Sequence, residues 1–291
     1  MVTIKTMDDH IFKQCDGRKD AQLLSVKDFD TLNIIGVLGK GAFSIVYQIV
    51  LDNKLYALRI ADVKDNIDDE LIIGCMANDL REYTNSLQVI KYFAYFNNSI
   101  KSSLRKLEKE LADYVVDYNL DMMDPSYRGS YLATVSEILI DREYDTLMRN
   151  NADLIDYTFE LFMALYILNS NNIIHGDLHT GNVGFIKTKA KRCYRINGRD
   201  YLAVSEYMPV IFDYGNSEIV EDDIVEVHEI LEEFGKIMSL FTDEECNKIL
   251  HTHNIKEFGK VFEFSLFDQL RNRSIIGEGE TVTMFKEINI N

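Results

Sequence analysis

Ile173-Ile174-His175-Gly176-Asp177-Leu178-His179-Thr180-Gly181-Asn182-Val183 is the stretch on which the reading of this chain turns. It follows an apolar segment, residues 151–170, in which Leu154, Phe159, Leu161, Phe162, Leu165 and Leu168 recur around a heavily buried helix. It precedes a short apolar run, Val183 to Ile186. An Asp and an Asn five residues apart on a tight loop of this kind divide two tasks. The Asp177 carboxylate can accept a proton from an incoming hydroxyl, and the Asn182 amide oxygen can coordinate a hard cation. Further on, Pro209-Val-Ile-Phe-Asp213-Tyr214-Gly215 puts a second carboxylate at the end of an apolar strand with a glycine behind it, a placement that suits a second Mg²⁺ ligand.

Upstream, residues 31–63 (TLNIIGVLGKGAFSIVYQIVLDNKLYALRIADV) predict three antiparallel strands. One ends at the glycines, one spans about 44–51, and one spans about 55–62 beyond the polar Asp52-Asn53-Lys54. The turn Gly39-Lys40-Gly41-Ala42-Phe43-Ser44 lets backbone N–H groups approach an anion with no Cβ in the way. A plain hairpin turn accounts for it equally well, and Ser44 stands where a third glycine would be expected. Asp68 to Leu87 has helical spacing, and QVIKYFAYF (88–96) and YLATVSEILI (131–140) read as strands. Residues 223–241 and 243–251 are further helical segments. Strands followed by helices predict a strand-rich N-terminal part and a helical C-terminal part.

Composition sets outer bounds. The 291 residues are 46% hydrophobic and 27% charged, which excludes wholesale disorder. A net charge of −17 argues against a surface built to grip nucleic acid. Cys15, Cys75, Cys193 and Cys246 show no CxxC spacing and read as reduced thiols. The N-terminus lacks the apolar core of a signal peptide, and Asp153, Asp156 and Glu160 interrupt the best candidate for a membrane span. A cytoplasmic protein with no membrane association is expected.

The glycine loop, the HGDLHTGN segment and the DYG triplet, in that order, resemble the protein-kinase-like superfamily over about residues 32–240. The resemblance implies an α+β, bilobal fold: an N-terminal extension (1–30), an antiparallel-sheet N-lobe (31–136) and a mainly helical, shortened C-lobe (137–291). ATP and Mg²⁺ would lie in the cleft. Asp177 would be the catalytic base, and Asn182 and Asp213 the metal ligands. Gly39, Lys40, Gly41 and Ser44 would cover the phosphates, with Ala57, Arg59, Glu70 and Glu137 completing the nucleotide site. Glu137 would open the hinge, with Ser136 as a small gatekeeper.

The chain departs from that pattern at several points. Arg59 stands where the family's ATP-anchoring lysine is expected, a bulkier cation whose donors form a fixed fork. Lys54 and Lys64 are substitutes more easily read as surface residues. Glu70 is the best partner on the following helix and Glu82 the fallback. Gly176 and His179 replace the Arg and Lys usual in protein kinases, so HGDLHTGN looks more like aminoglycoside- and choline-type kinases and some divergent kinases of large DNA viruses. His179 would contact the transferred phosphate or simply shape the loop. The insert 187–208, with Lys187, Lys189, Lys191, Arg192, Arg195 and Arg199, reads as an extended hairpin or as a docking patch for an acidic partner. No APE-like segment follows Gly215, so the activation segment is very short. His251-Thr252-His253 lacks a ligand pattern, and the segment Thr281-Val282-Thr283 is a candidate for autophosphorylation.

Three functions fit: an active serine/threonine protein kinase resembling those of large DNA viruses, a pseudokinase that binds a regulatory partner, and a small-molecule phosphotransferase. A protein substrate or regulatory protein is the expected partner.

Overall fold

Alternation with period two sets the first sheet: Ile45, Tyr47 and Ile49 are buried, while Val46, Gln48 and Val50 between them are partly exposed. A computed structural model describes residues 22–23, 32–40, 44–51, 53–63, 67–84, 90, 92–96, 130–140, 151–188, 190–221, 224–273, 282–285 and 287–288. Strands β1 (Gln22–Leu23), β2 (Asn33–Lys40), β3 (Ser44–Leu51), β4 (Lys54–Val63), β5 (Tyr92–Phe96) and β6 (Ser130–Ser136) form one sheet in the order β1-β5-β6-β4-β3-β2. Every pair is antiparallel except β1 with β5. The three strands expected over 31–63 are present. Between β4 and β5 runs helix α1 (Ile67–Thr84), which buries Leu71, Ile73, Met76, Ala77 and Leu80.

Cys75 in α1 is disulfide-bonded, whereas Cys193 and Cys246 are free thiols. The expectation of reduced thiols throughout therefore fails at Cys75. Spacing along the chain carries no information on cysteines that folding brings together.

The chain divides into two compact units, one holding Thr3–Cys75 and Lys91–Ile138, the other Met76–Ile90 and Leu139–Asn291. The second is organised by helix α2 (Asn151–Asn169), buried on nearly all sides. Phe159 of α2 meets Tyr194, Tyr201, Phe262 and Phe267 with ring centroids 5.1–5.6 Å apart, and Phe162 meets Phe241, Phe258 and Phe267. These mostly edge-to-face contacts make an aromatic core. After α2 come β7 (Ile173–Ile174), β8 (Val183–Lys187), β9 (Lys191–Ile196), β10 (Arg199–Ala203), β11 (Tyr207–Ile211) and β12 (Glu218–Ile219). Helices α3 (Val227–Glu233), α4 (Gly235–Met238), α5 (Asp243–Leu250), α6 (Ile255–Lys260) and α7 (Asp268–Arg271) follow. The single helical segment expected over 223–241 is thus two short helices meeting at Phe234. Thr242 and Glu245 cap α5 reciprocally.

The insert is the extended hairpin. β9 and β10 pair through the two-residue turn Asn197-Gly198, with φ of 48° and 72°. Asn-Gly at positive φ is the turn whose twist matches the flanking strands. A last strand, β13 (Val282–Met284), adds in parallel to β9, and Phe285 stacks on Tyr194 at 4.3 Å. Past it, Ile288 N donates to Arg195 O and Asn197 N donates to Ile288 O.

Two carboxylates of α2 bind this hairpin to the core. Glu160 accepts from Arg192 Nε and Nη2 and from the Tyr194 hydroxyl. Asp156 accepts from Val204 N at 2.7 Å and Ser205 N at 2.8 Å, and pairs with Arg273. Burial works against the charge on Arg192, yet Glu160 outweighs it and holds the guanidinium protonated above its ordinary range. Lys187 and Arg195 pair with Glu206 and Asp200. Much of the insert's positive charge is therefore taken up within the unit. No helix among the described residues is long and apolar enough to cross a membrane.

Candidate functional site

β7 delivers the chain into the loop at His175, which is fully buried and bonds Phe212 O through Nε2 at 3.0 Å. Burial lowers the imidazole's pKa, with the Phe212 carbonyl pulling against it. Gly176 has φ of +74°, and a Cβ there would lie 2.4 Å from Asn216 O. The left-handed conformation and the approaching backbone together demand glycine at this position.

Asp177 comes next, its side chain about half exposed. Asn182 Nδ2 donates to Asp177 O at 2.9 Å, and Phe212 N donates to Asn182 O at 3.1 Å. The Asn182 amide oxygen remains as a hard donor. Asp213 lies two residues past β11 at φ of 65°, and its carboxylate accepts from Gly215 N at 3.4 Å. Antiparallel pairing of β8 with β11 sets Val183 opposite Ile211, so Asn182 and Phe212 sit together at the end of this ladder. One amide and one carboxylate oxygen set suits Mg²⁺, which takes one or two protein oxygen ligands beside substrate phosphates. Among the described residues no group of three or more His, Cys, Asp and Glu gathers to hold a metal by itself, and the His251/His253 pair is no exception.

His179 caps the 3-10 turn Thr180–Asn182: its Nδ1 accepts from Gly181 N at 3.0 Å. A ring nitrogen that accepts carries no proton, so Nε2 is the donor, 4.0 Å from Asp177 Oδ1. The loop-shaping role is thus realised, with the Nε2–H still available to a ligand.

Glu226 had no place in the sequence reading, yet it holds the loop from beneath. Its carboxylate accepts from His175 N at 2.8 and 2.9 Å, Gly176 N at 3.0 Å and Asn169 Nδ2 at 3.4 Å. It stands inside a run of acidic residues, where nothing in the sequence separates a buried anchor from a solvated charge. Burial pushes Glu226 up to about 7, against the pull of those donors. The folded protein therefore keeps a proton that the unfolded chain has already lost, from the ordinary carboxylate range up to about 7. Stability falls as pH rises through that window and is level above it. His175, held neutral, acts in the opposite sense near its own ordinary value, so the difference between wild type and Glu226→Gln isolates the glutamate. Urea denaturation at a series of pH values is expected to show wild type gaining stability relative to Glu226→Gln steadily from pH 7.5 down to pH 5.

In the other unit, the Arg59 guanidinium forms an ion pair with Glu70 of α1. Glu70 is 4% and Arg59 16% exposed. Ala57 is buried on β4 and paired with Ser136 of β6, and Glu137 follows that strand half-buried. Gly39 pairs with Val46 near the end of β2, Lys40 is the last residue of β2, and Ser44 begins β3. Lys54 is exposed. Gly41, Lys64, Lys189, Thr281 and the Glu82 side chain lie outside the described residues, as does most of the N-terminal extension.

Comparison with known proteins adds a distant relative. No protein-family model matches the chain. Over 171 residues it is 21% identical to a protein of Acanthamoeba polyphaga mimivirus named as a candidate serine/threonine-protein kinase, a match spanning 58% of this chain and 28% of that protein. Among solved structures, a Plasmodium kinase domain aligns with 78% of this chain and 63% of its own length, at 17% identity and a TM-score of 0.39. The chain thus shares a distant likeness in sequence with the mimivirus protein, of which it spans little more than a quarter.

Proposed function

We propose that this protein is an ATP-dependent phosphotransferase, a divergent serine/threonine protein kinase of the kind found in large DNA viruses. The observation that carries the reading is the catalytic loop itself. Asp177 is exposed to an acceptor while its own carbonyl is tied to Asn182, and the N–H groups of the two residues before it are tied to Glu226. Bound ATP and Mg²⁺ supply the phosphoryl group and neutralise the charge that develops on it. Asp177 takes the proton of the acceptor hydroxyl as that oxygen bonds the γ-phosphorus and the bond to the ADP oxygen breaks. Asn182 and Asp213 are the metal ligands, and His179 Nε2–H is a neutral donor to a phosphoryl oxygen. The strand ends around Gly39 and Ser44 carry the phosphate cover.

A second reading, a nucleotide-binding module without turnover, draws on Arg59. Its pair with Glu70 favours activity, because the guanidinium makes the contact to α1 that an anchoring lysine would make. Arg59→Ala is expected to weaken ATP binding by roughly 10- to 100-fold, the equivalent of one or two charge-assisted hydrogen bonds. Arg59→Lys is expected to preserve it. Nucleotide-induced shifts in melting temperature across a concentration series measure both.

Transfer of ³²P from γ-labelled ATP, with Mg²⁺ or Mn²⁺, tests the function. Acceptors are casein, myelin basic protein, the protein itself, an aminoglycoside and choline. Labelled protein supports the proposal. Label on a small molecule alone makes the protein a small-molecule kinase, and nucleotide binding with no label anywhere makes it a binding module.

A further inference from the structure

Asn216 directly follows the DYG triplet, and its Nδ2 donates to Asp177 Oδ2 at 3.1 Å. Among the described residues this is the one hydrogen bond that carboxylate receives. His179 Nε2, at 4.0 Å from Oδ1, is beyond hydrogen-bond reach. The bond is not needed to hold the segment that carries it. Ser217 Oγ donates to His175 O at 2.9 Å, β12 pairs Glu218 with Ile174 and Ile219 with Ile173, and Val220 N donates to Asn172 O at 2.9 Å. With the segment fixed by those contacts, the Asn216 side chain is free to act on Asp177 alone. The Asp177 backbone is fixed by Asn182, but that contact leaves the carboxylate's own rotation unrestrained.

We propose that Asn216 is a positioning residue for Asp177. By engaging Oδ2 it sets the rotation of the carboxylate and leaves Oδ1 as the oxygen offered to the acceptor hydroxyl. The inference rests on the phosphotransferase reading above and adds to it a residue outside the loop and outside the metal ligands. A misoriented base loses rate without losing nucleotide. A neutral amide also holds the carboxylate without presenting a second anion to the metal site.

Two measurements test it together. In ¹H–¹⁵N spectra, the Asn216 side-chain amide resonance is expected to move on Asp177→Ala while distant backbone resonances stay in place. In steady-state assays, Asn216→Leu, similar in size and unable to donate, is expected to lower kcat about tenfold with KM for ATP and the melting temperature unchanged. Asn216→Asp, which sets two acceptors against each other, is expected to lower kcat further. An amide resonance indifferent to Asp177→Ala would show that the bond does not exist in solution and would overturn the proposal. A fall in melting temperature with kcat intact overturns it too, because the residue is then structural. If the resonance responds but the wild type transfers no phosphate to any acceptor, the phosphotransferase reading fails. Asn216 then has no base to position, and the proposal fails with that reading rather than on its own contact.

Discussion

Asp177→Asn is expected to lower phosphoryl transfer by about 10²–10⁴-fold, the contribution of a positioned general base. Asparagine preserves the size of the side chain and can still accept from Asn216 Nδ2, so the loop has no reason to rearrange. The backbone ties to Asn182 and Glu226 do not involve the carboxylate. Nucleotide affinity and melting temperature are therefore expected to stay at wild-type values while label in the acceptor disappears. If Asp177→Asn transfers phosphate at the wild-type rate, Asp177 is not the base and the site has been misread. A variant that loses nucleotide binding as well would place the carboxylate in ground-state contacts instead.

Removing one partner of the Glu160–Arg192 pair is expected to produce the largest loss of stability. Both side chains are almost entirely enclosed, at 0% and 2% exposure. Arg192→Leu leaves Glu160 with the Tyr194 hydroxyl as its remaining donor, and Glu160→Leu strands a buried guanidinium. Breaking a buried pair from one side costs about 3–5 kcal/mol, because the surviving charge keeps its desolvation penalty. The urea midpoint is expected to fall accordingly at unchanged slope. The double variant Glu160→Leu with Arg192→Met is expected to recover much of the loss, since two apolar side chains bring no charge into the interior. A double variant as unstable as the sum of the singles would mean that the two residues act independently.

Periodic patterns were legible in the sequence because they report burial along a single element. The three strands after residue 31 and the helix over 151–169 followed from period-two and helical spacing. The pairing of Arg59 with Glu70 was also anticipated, but from the resemblance to the protein-kinase-like superfamily and not from a pattern in the residues themselves. Contacts between distant segments were not legible. Asp156 and Glu160 read as interruptions of an apolar segment, and only the folded hairpin shows that each holds donors from residues 192–205. Glu226 and Asn216 reach the loop across some forty or fifty positions, and neither lies in a local pattern that marks it. The insert was legible as a hairpin, but charge in a sequence does not disclose which of its cations, here Arg192, will turn inward.

The parallel strand that β13 lays along β9 ties residues 282–284 to a hairpin made much earlier. During synthesis the β9 edge stays open until residues 282–288 have left the ribosome, so this sheet cannot close when the hairpin first forms. An open strand edge is a template for pairing with another chain. The nascent protein thus passes through a period in which crowded ribosomes on one message favour association over closure. A stop codon shortly before Val282 would make that period permanent: the loop residues would all be present, yet the product would be prone to aggregate.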